Sequence, residues 1–279
     1  MTTKGPTADR DSVRDFWEAN PVAAARIDAP IGSAEFFATY DRLRERNESV
    51  EFSRRLHEFD RFMGQKVLDV GCGNGYVLSR YAGAGANVYG VDITGTAIEL
   101  TKRRFGFLHL EGDFRVAEAE HLPFADQTFD CVTCMGVLHH VPDTERSVAE
   151  IRRVLKPGGL LIAMVYHRNS ALYRIRFPFD SLVKRKSIQQ LVNEVDGVGN
   201  RKGDVYSRAE LRELLADFDA LELEVGVLQS WMVLPGGNRL ISSRWLRPFE
   251  RRLGWFLYAK ARKPSSPGSN PTSPMRDTR

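Results

Sequence analysis

Three glycines alternate through Gly71-Cys72-Gly73-Asn74-Gly75, directly after the apolar run Val67-Leu68-Asp69-Val70 and before Tyr76-Val77-Leu78-Ser79-Arg80, which has a helical texture. A bare bend lets a ligand approach backbone N–H groups closely, and the carboxyl end of a strand is where open α/β sheets bind their ligands. Twenty-one residues after Gly71, the run Val88-Tyr89-Gly90-Val91 ends in Asp92, whose carboxylate can accept two hydrogen bonds from ribose hydroxyls. A glycine-rich turn followed by an acid is also the fingerprint of a dinucleotide site. That pattern needs a third glycine for close helix–strand packing, and this chain has Tyr76 there. Asp69, two residues before the first glycine, would repel a pyrophosphate but suits a ligand with an ammonium group and a sulfonium charge. The plain alternatives are a tight turn with no ligand and, for Asp92, a helix cap.

These residues need a sheet to hold them. Between Lys66 and His167 the short apolar runs KVLDVG, NVYGVD, FDCVTCM and LLIAMVY alternate with longer helical patterns, which is how β-α units on a parallel sheet read. Asp143 can cap a helix whose Val148, Ile151, Val154 and Leu155 form one stripe, stopped by Pro157-Gly158-Gly159. Ser207 and Glu210 have capping-box spacing and open a helix expected to run through Phe218; Leu221–Gln229 and Trp255–Arg262 then alternate as strands. The expected fold is α/β, a doubly wound, mostly parallel sheet with an N-terminal helical cap. The expected division is a cap over 1–63, with Phe36, Phe37, Tyr40 and Leu43 on one helix face; a ligand-binding core over 64–167; an insertion above the strand ends over 168–206; the rest of the sheet over 207–263; and a disordered tail over 264–279.

The chain has 279 residues, 42% of them hydrophobic and 27% charged, which excludes a mainly disordered or fibrous protein. The longest apolar stretch, Leu160–Tyr166, is seven residues, far short of the roughly 18 that a spanning helix needs. With a polar start, a cytoplasmic location is expected. Net charge is +4, but from Arg239 onward ten Lys/Arg face only Glu250 and Asp277. That basic segment, interleaved with Trp245, Phe249, Trp255, Phe256 and Tyr258, reads either as a solvated face beside core aromatics or as a peripheral contact for phosphates or a membrane surface. Cys131 and Cys134 point to opposite faces of a strand and cannot share a metal; with Cys72 they read as packing residues, and no metal is expected. Asn/Asp-Pro-Pro-Tyr/Phe, which suits methylation of nucleic-acid bases, is absent, and Met135-Gly136-Val137-Leu138 stands there. A nucleic-acid partner is not expected.

The runs VLDVGCGNG, VYGVDIT, AEAEHLPFADQTFDCVTCMGVLHHVPD and EIRRVLKPGGLLIAMVYHR, in this order, resemble the successive motifs of class I S-adenosylmethionine-dependent methyltransferases, in particular the small-molecule group that includes ubiquinone and menaquinone C-methyltransferases. The likeness covers about Val67 to His167 and implies that the doubly wound sheet is the seven-stranded, Rossmann-like one of that family. It implies S-adenosyl-L-methionine as cofactor, with Gly71, Gly73 and the Asp69 region at its methionine portion, Asp92 at the ribose and Ile93 on the adenine; Gly75 and Met135 are counted with them. Glu118-Ala119 stands where the family usually has Asp-Ala, with the acid or adjacent backbone near the adenine amine.

Methyl transfer from a sulfonium mainly requires alignment and exclusion of water, so a general base is optional. On the acceptor side the residues after the fourth and fifth strands are Met135, His139, His140, Tyr166 and His167; the three histidines are the candidate catalytic bases, and Trp17 or Tyr40 could close the pocket from the N-terminal helices. The expected activity is methyl transfer to a small-molecule acceptor. The alternatives are a regulatory protein that binds the cofactor without turnover, and a membrane-surface enzyme with a lipid-like or quinone acceptor.

Overall fold

The computed structural model describes residues 9–240 and 242–265. The expected tail lies outside the described residues apart from Pro264 and Ser265. Three helices open the chain: α1 (Arg10–Ala19), α2 (Ala34–Asn47) and α3 (Val50–His57), each begun by a side-chain oxygen of Asp9, Ser33 or Ser49 accepting from an otherwise unpaired N–H. The sheet then builds through β1 (Lys66–Val70), α4 (Tyr76–Gly83), β2 (Asn87–Asp92), α5 (Gly95–Leu108), β3 (Asp113–Val116), β4 (Phe129–Met135), α6 (Thr144–Val154) and β5 (Leu155–Tyr166). After β5 come α7 (Phe177–Lys184), α8 (Ile188–Asn193), α9 (Arg208–Leu214), β6 (Asp219–Gly226), α10 (Gly237–Leu240), α11 (Arg247–Leu253) and β7 (Phe256–Arg262).

The strand order is β3-β2-β1-β4-β5-β7-β6, with β7 antiparallel to both neighbours and the other pairs parallel. The chain winds outward in one direction from β1 and in the other from β4. A crevice therefore opens at the carboxyl ends of these two strands, where their following loops diverge. Both faces of the sheet are covered. Val67 and Cys131 join a core with Phe36, Leu78, Tyr81, Ile98 and Phe105, whereas Leu68, Val70, Val132 and Cys134 join the opposite core with Ile151, Val154 and Leu211. Cys131 and Cys134 thus face opposite layers, and both are free.

Some boundaries differ from the sequence reading for local reasons. The strand β3 completes the expected seven but is marked by no apolar run; it is four residues long and half exposed, too short for its period to show. Helix α6 ends at Val154 because Leu155 is already extended, and Pro157-Gly158-Gly159 lies inside β5 as a bulge opposite Phe129 and Cys131, with Gly158 at φ +75°. Helix α9 has its expected capping box but stops at Leu214, followed by a turn to Phe218.

The N-terminal cap is held to the sheet by buried polar contacts. Tyr258 on β7 donates to Glu48 at 2.7 Å, and Glu48 also pairs with Arg44 at 2.8 Å. Arg104 of α5 lies 4.6 Å from the Phe37 ring, pairs with Asp41 and donates to the Asn74 carbonyl, which ties α2, α5 and the glycine bend together. Tyr258→Phe leaves buried Glu48 with fewer donors, so unfolding in urea should begin at lower concentration with an unchanged slope, a loss of about 1–3 kcal/mol. An unmoved midpoint would show that this hydrogen bond does not hold the cap.

Candidate functional site

A cleft with about 910 Å³ of empty space, part of it open to solvent, lies at the crevice between β1 and β4. The bend contributes Gly71, Gly73 and Asn74, the end of β2 contributes Asp92, Ile93 and Thr94, and the loop after β3 contributes Ala119 and Glu120. Met135, Gly136 and His140 follow β4, and Val13 and Trp17 of α1 close the other side.

The bend is fixed by the end of β2. The N–H groups of Gly71 and Cys72 donate to the Val91 carbonyl, and that of Gly73 donates to Asp92 Oδ2 at 3.1 Å. The other carboxylate oxygen accepts from the Thr94 N–H at 3.0 Å and its hydroxyl at 2.8 Å, while Thr94 itself caps α5. Burial pushes the Asp92 carboxyl above its usual range, against the downward pull of these donors. Gly71 has φ +74°, and a Cβ there would stand 2.1 Å from Val137, so only glycine fits. Gly73 has φ +57°, and the nearest atom to a Cβ there is the Val22 side chain at 3.9 Å, across the cleft. Its missing side chain keeps that space open.

Not every expected ligand contact faces the cleft. Asp69 is buried behind the bend, where Thr133 donates to it at 2.6 Å. Gly75 begins α4 at φ +76° rather than lining the cleft. Glu118 pairs with Arg10 at 3.1 Å and His121 at 3.5 Å outside the cleft; the acid that does line it is Glu120, buried and accepting from the Asp143 N–H. Sequence reasoning passed over Glu120 because the family pattern drew attention two residues earlier. It also passed over Asn74, inside the glycine motif, whose carbonyls are held by Arg104 while its buried Nδ2 has no partner. That orphaned donor lines the cleft.

The histidines separate cleanly. His140 lines the cleft, with Nδ1 2.6 Å from the Lys202 carbonyl, Nε2 3.3 Å from Asp196, and Trp17 edge-on at 5.1 Å between ring centres. Tyr166 donates to the same Asp196 carboxylate at 2.6 Å. His139 is fully buried with its ring 3.9 Å from that of Tyr166, and both its nitrogens lack partners. Burial and the neighbouring His140 and Lys202 push its pKa well down. It is a packing group, not a base facing the cleft. His167 is likewise buried, its Nδ1 against the Gly254 carbonyl at 3.1 Å, and lies outside the cleft. Trp17 is at the cleft, but Tyr40 is not: it packs against Tyr76. Among the described residues no cluster could hold a metal ion, and no helix is long and apolar enough to cross a membrane.

Burial pushes the Asp69 carboxyl up from 3.8 to about 7, against the pull of the Thr133 hydroxyl. The folded protein therefore binds this proton across a window in which the unfolded chain has lost it, and stability falls as pH rises from about 4 to about 7. Asp69→Asn keeps an acceptor for Thr133 and removes the charge. Melting curves should show the variant more stable than wild type at pH 8, by roughly 2–4 kcal/mol, and nearly equal to it at pH 4. An equal difference at both pH values would contradict the buried-carboxyl account.

Residues 68–163 match the family described as methyltransferase domain. A ubiquinone biosynthesis O-methyltransferase of Thiobacillus denitrificans is 39% identical over 111 residues, which is 39% of this chain and 48% of that protein. The chain thus spans about half the length of the curated relatives it matches, and the family match ends within β5. Among solved structures, an S-adenosylmethionine-dependent methyltransferase of Methanosarcina mazei superposes with a TM-score of 0.54 at 24% identity, over 76% of this chain and 98% of that one. An N-methyltransferase of Haemonchus contortus, held with phosphomonomethylethanolamine and S-adenosylhomocysteine, gives a TM-score of 0.58 at 17% identity over 90% of this chain and 60% of that one. Residues 68–163 are thus similar to a methyltransferase domain, and the fold is shared with solved structures of S-adenosylmethionine-dependent methyltransferases.

Proposed function

We propose that this protein uses S-adenosyl-L-methionine to methylate a small-molecule acceptor in the cytoplasm. The observation that carries this reading is the Asp92 carboxylate at the rim of the cleft, held by Gly73 and Thr94 beside a bend bare of side chains. The residues fit the cofactor. Asp92 would accept from the ribose hydroxyls, Ile93 and Ala119 would pack on the adenine, and the orphaned Asn74 Nδ2 would donate to the carboxylate of the methionine portion. Asp69, behind the bend, would add negative potential under the positive end of the ligand. When bound, the cofactor supplies a methyl group on a sulfonium, which leaves as a neutral thioether without help from an acid.

What remains for the chain is alignment, which can be worth roughly 7–11 kcal/mol. Trp17 and Val13 cover the cleft on one side, and Glu18 of the same helix accepts from the Thr96 N–H at 3.1 Å, pinning that cover to α5. Beyond Met135 and Gly136, His140 forms the acceptor wall. Both of its nitrogens face protein atoms, so it shapes and polarises that wall, with Asp196 and Tyr166 fixing its ring. The lining is otherwise mostly apolar, which suits an acceptor with an apolar or aromatic body. The three cysteines are free and buried, in keeping with a reducing compartment. A membrane-surface form of the same reading draws support from Trp245 and Phe249, exposed among Arg244, Arg247 and Arg251.

Calorimetric titration should show S-adenosylhomocysteine binding to the purified protein and NADH failing to bind. Asp92→Ala should weaken that binding at least about tenfold, or 1.4 kcal/mol. Binding of NADH alone, or an unchanged affinity in the variant, would remove the reading.

A further inference from the structure

Helix α7 is built inside out. Its buried side chains are Phe177 and Asp180, and Asp180 is paired with Arg176 at 2.7 Å and Lys184 at 3.1 Å. Phe179, Leu182 and Val183 stand 52%, 82% and 66% exposed instead. Ile175, 45% exposed in the π-helical turn Leu172–Arg176 that leads into α7, falls four residues before Phe179 and seven before Leu182. Such spacing makes one continuous apolar stripe, and a globular helix ordinarily turns that stripe inward. A second apolar group follows in the chain: Leu240 is 74% exposed and Trp245 68%. Arg176 Nη1 donates to the Trp231 carbonyl at 3.0 Å, and the turn Ser230–Met232 packs against α10, which ends at Leu240. Both carry cations at the surface, Arg174 and Arg185 beside α7 and Arg244 and Arg247 beside Trp245. Among the described residues these four arginines have no acidic partner.

We propose that this face is a docking surface for an anionic lipid bilayer. An exposed apolar patch of this size marks a surface covered in use. A bilayer offers acyl chains to the apolar side chains and phosphates to the guanidinium groups at the same depth. A second copy of the chain would instead set these arginines against their own images across a two-fold contact, where like charges repel. The placement is also functional. Phe177 and Tyr173 pack in the same apolar cluster as Tyr166, and Tyr166 shares the Asp196 carboxylate with His140 at the acceptor wall. The docked face therefore adjoins the acceptor end of the cleft, and the acceptor class it serves is an apolar molecule dissolved in the membrane. Docking itself goes beyond the methyl-transfer reading and does not require it.

Flotation of the full chain with phosphatidylcholine vesicles containing about 30% phosphatidylglycerol tests the surface directly. Wild type should float at low salt, lose most of its binding as salt approaches about 300 mM, and bind neutral vesicles at least about tenfold less. Leu182→Glu with Val183→Glu should cut binding to the anionic vesicles at least about tenfold while leaving S-adenosylhomocysteine titration and melting temperature as in wild type. Met63→Glu, at a 70% exposed site just before the amino end of β1, whereas α7 follows the carboxyl end of β5, should float like wild type. Failure of the wild type to float at low salt, or undiminished flotation of the double variant, would overturn the proposal. So would a wild-type dimer that the double variant dissociates, with no vesicle binding, since that would give the face to a second copy. Flotation without S-adenosylhomocysteine binding would leave docking in place and remove the methyl-transfer reading instead.

Discussion

The carboxylate of Asp92 joins three pieces of chain at one point: the last residue of β2, the glycine bend after β1 and the cap of α5. Its two oxygens receive three hydrogen bonds, from the Gly73 amide and from the amide and hydroxyl of Thr94. Hydrogen bonds to a charged group are stronger than neutral ones, and these pull the carboxyl down against the burial that raises it. A carboxylate so held is already turned into place for a ligand, so binding does not have to order it.

The topology supplies the opening for that carboxylate, and the glycines keep it clear. Because the strand order reverses between β1 and β4, the loops after these strands part, and the bend can enter the gap. Positive φ at Gly71 and Gly73 turns the backbone sharply, and the close approach of Val137 to Gly71 leaves no room for a Cβ. Asp69 is a second acid at this point, a carboxyl buried under the bend and raised to about 7. Strained or perturbed groups of this kind gather where binding needs them. Here the sheet holds an acid in its core, directly behind the bend.

Much of the fold was legible because its signals are local. The alternation of KVLDV, NVYGVD and FDCVTCM with amphipathic helices reads as a parallel sheet, Asp143 and Ser207 cap helices where expected, and Cys131 and Cys134 face opposite layers as a two-residue period demands. β3 left no apolar run because four half-exposed residues carry too little period, and the Pro157-Gly158-Gly159 bulge was missed because it is defined by what β4 does opposite it. In the site, Asp92, Gly71 and Gly73 followed from spacing. The sorting of His139, His140 and His167 did not, since adjacent or similar residues part company only through tertiary neighbours: the Tyr166 ring, Asp196 from the insertion, and the Gly254 carbonyl. Glu120 rather than Glu118 faces the cleft for the same reason, as Arg10 from α1 draws Glu118 outward.

The central claim is that a preset carboxylate and a bare bend receive a positively charged nucleoside donor. A crystal structure grown with S-adenosylhomocysteine reads this most directly. It should show the ligand in the cleft with both ribose hydroxyls on Asp92 and the Gly73 amide still bound to the same carboxylate. Density for the ligand elsewhere, or an Asp92 side chain turned away from it, would contradict the account.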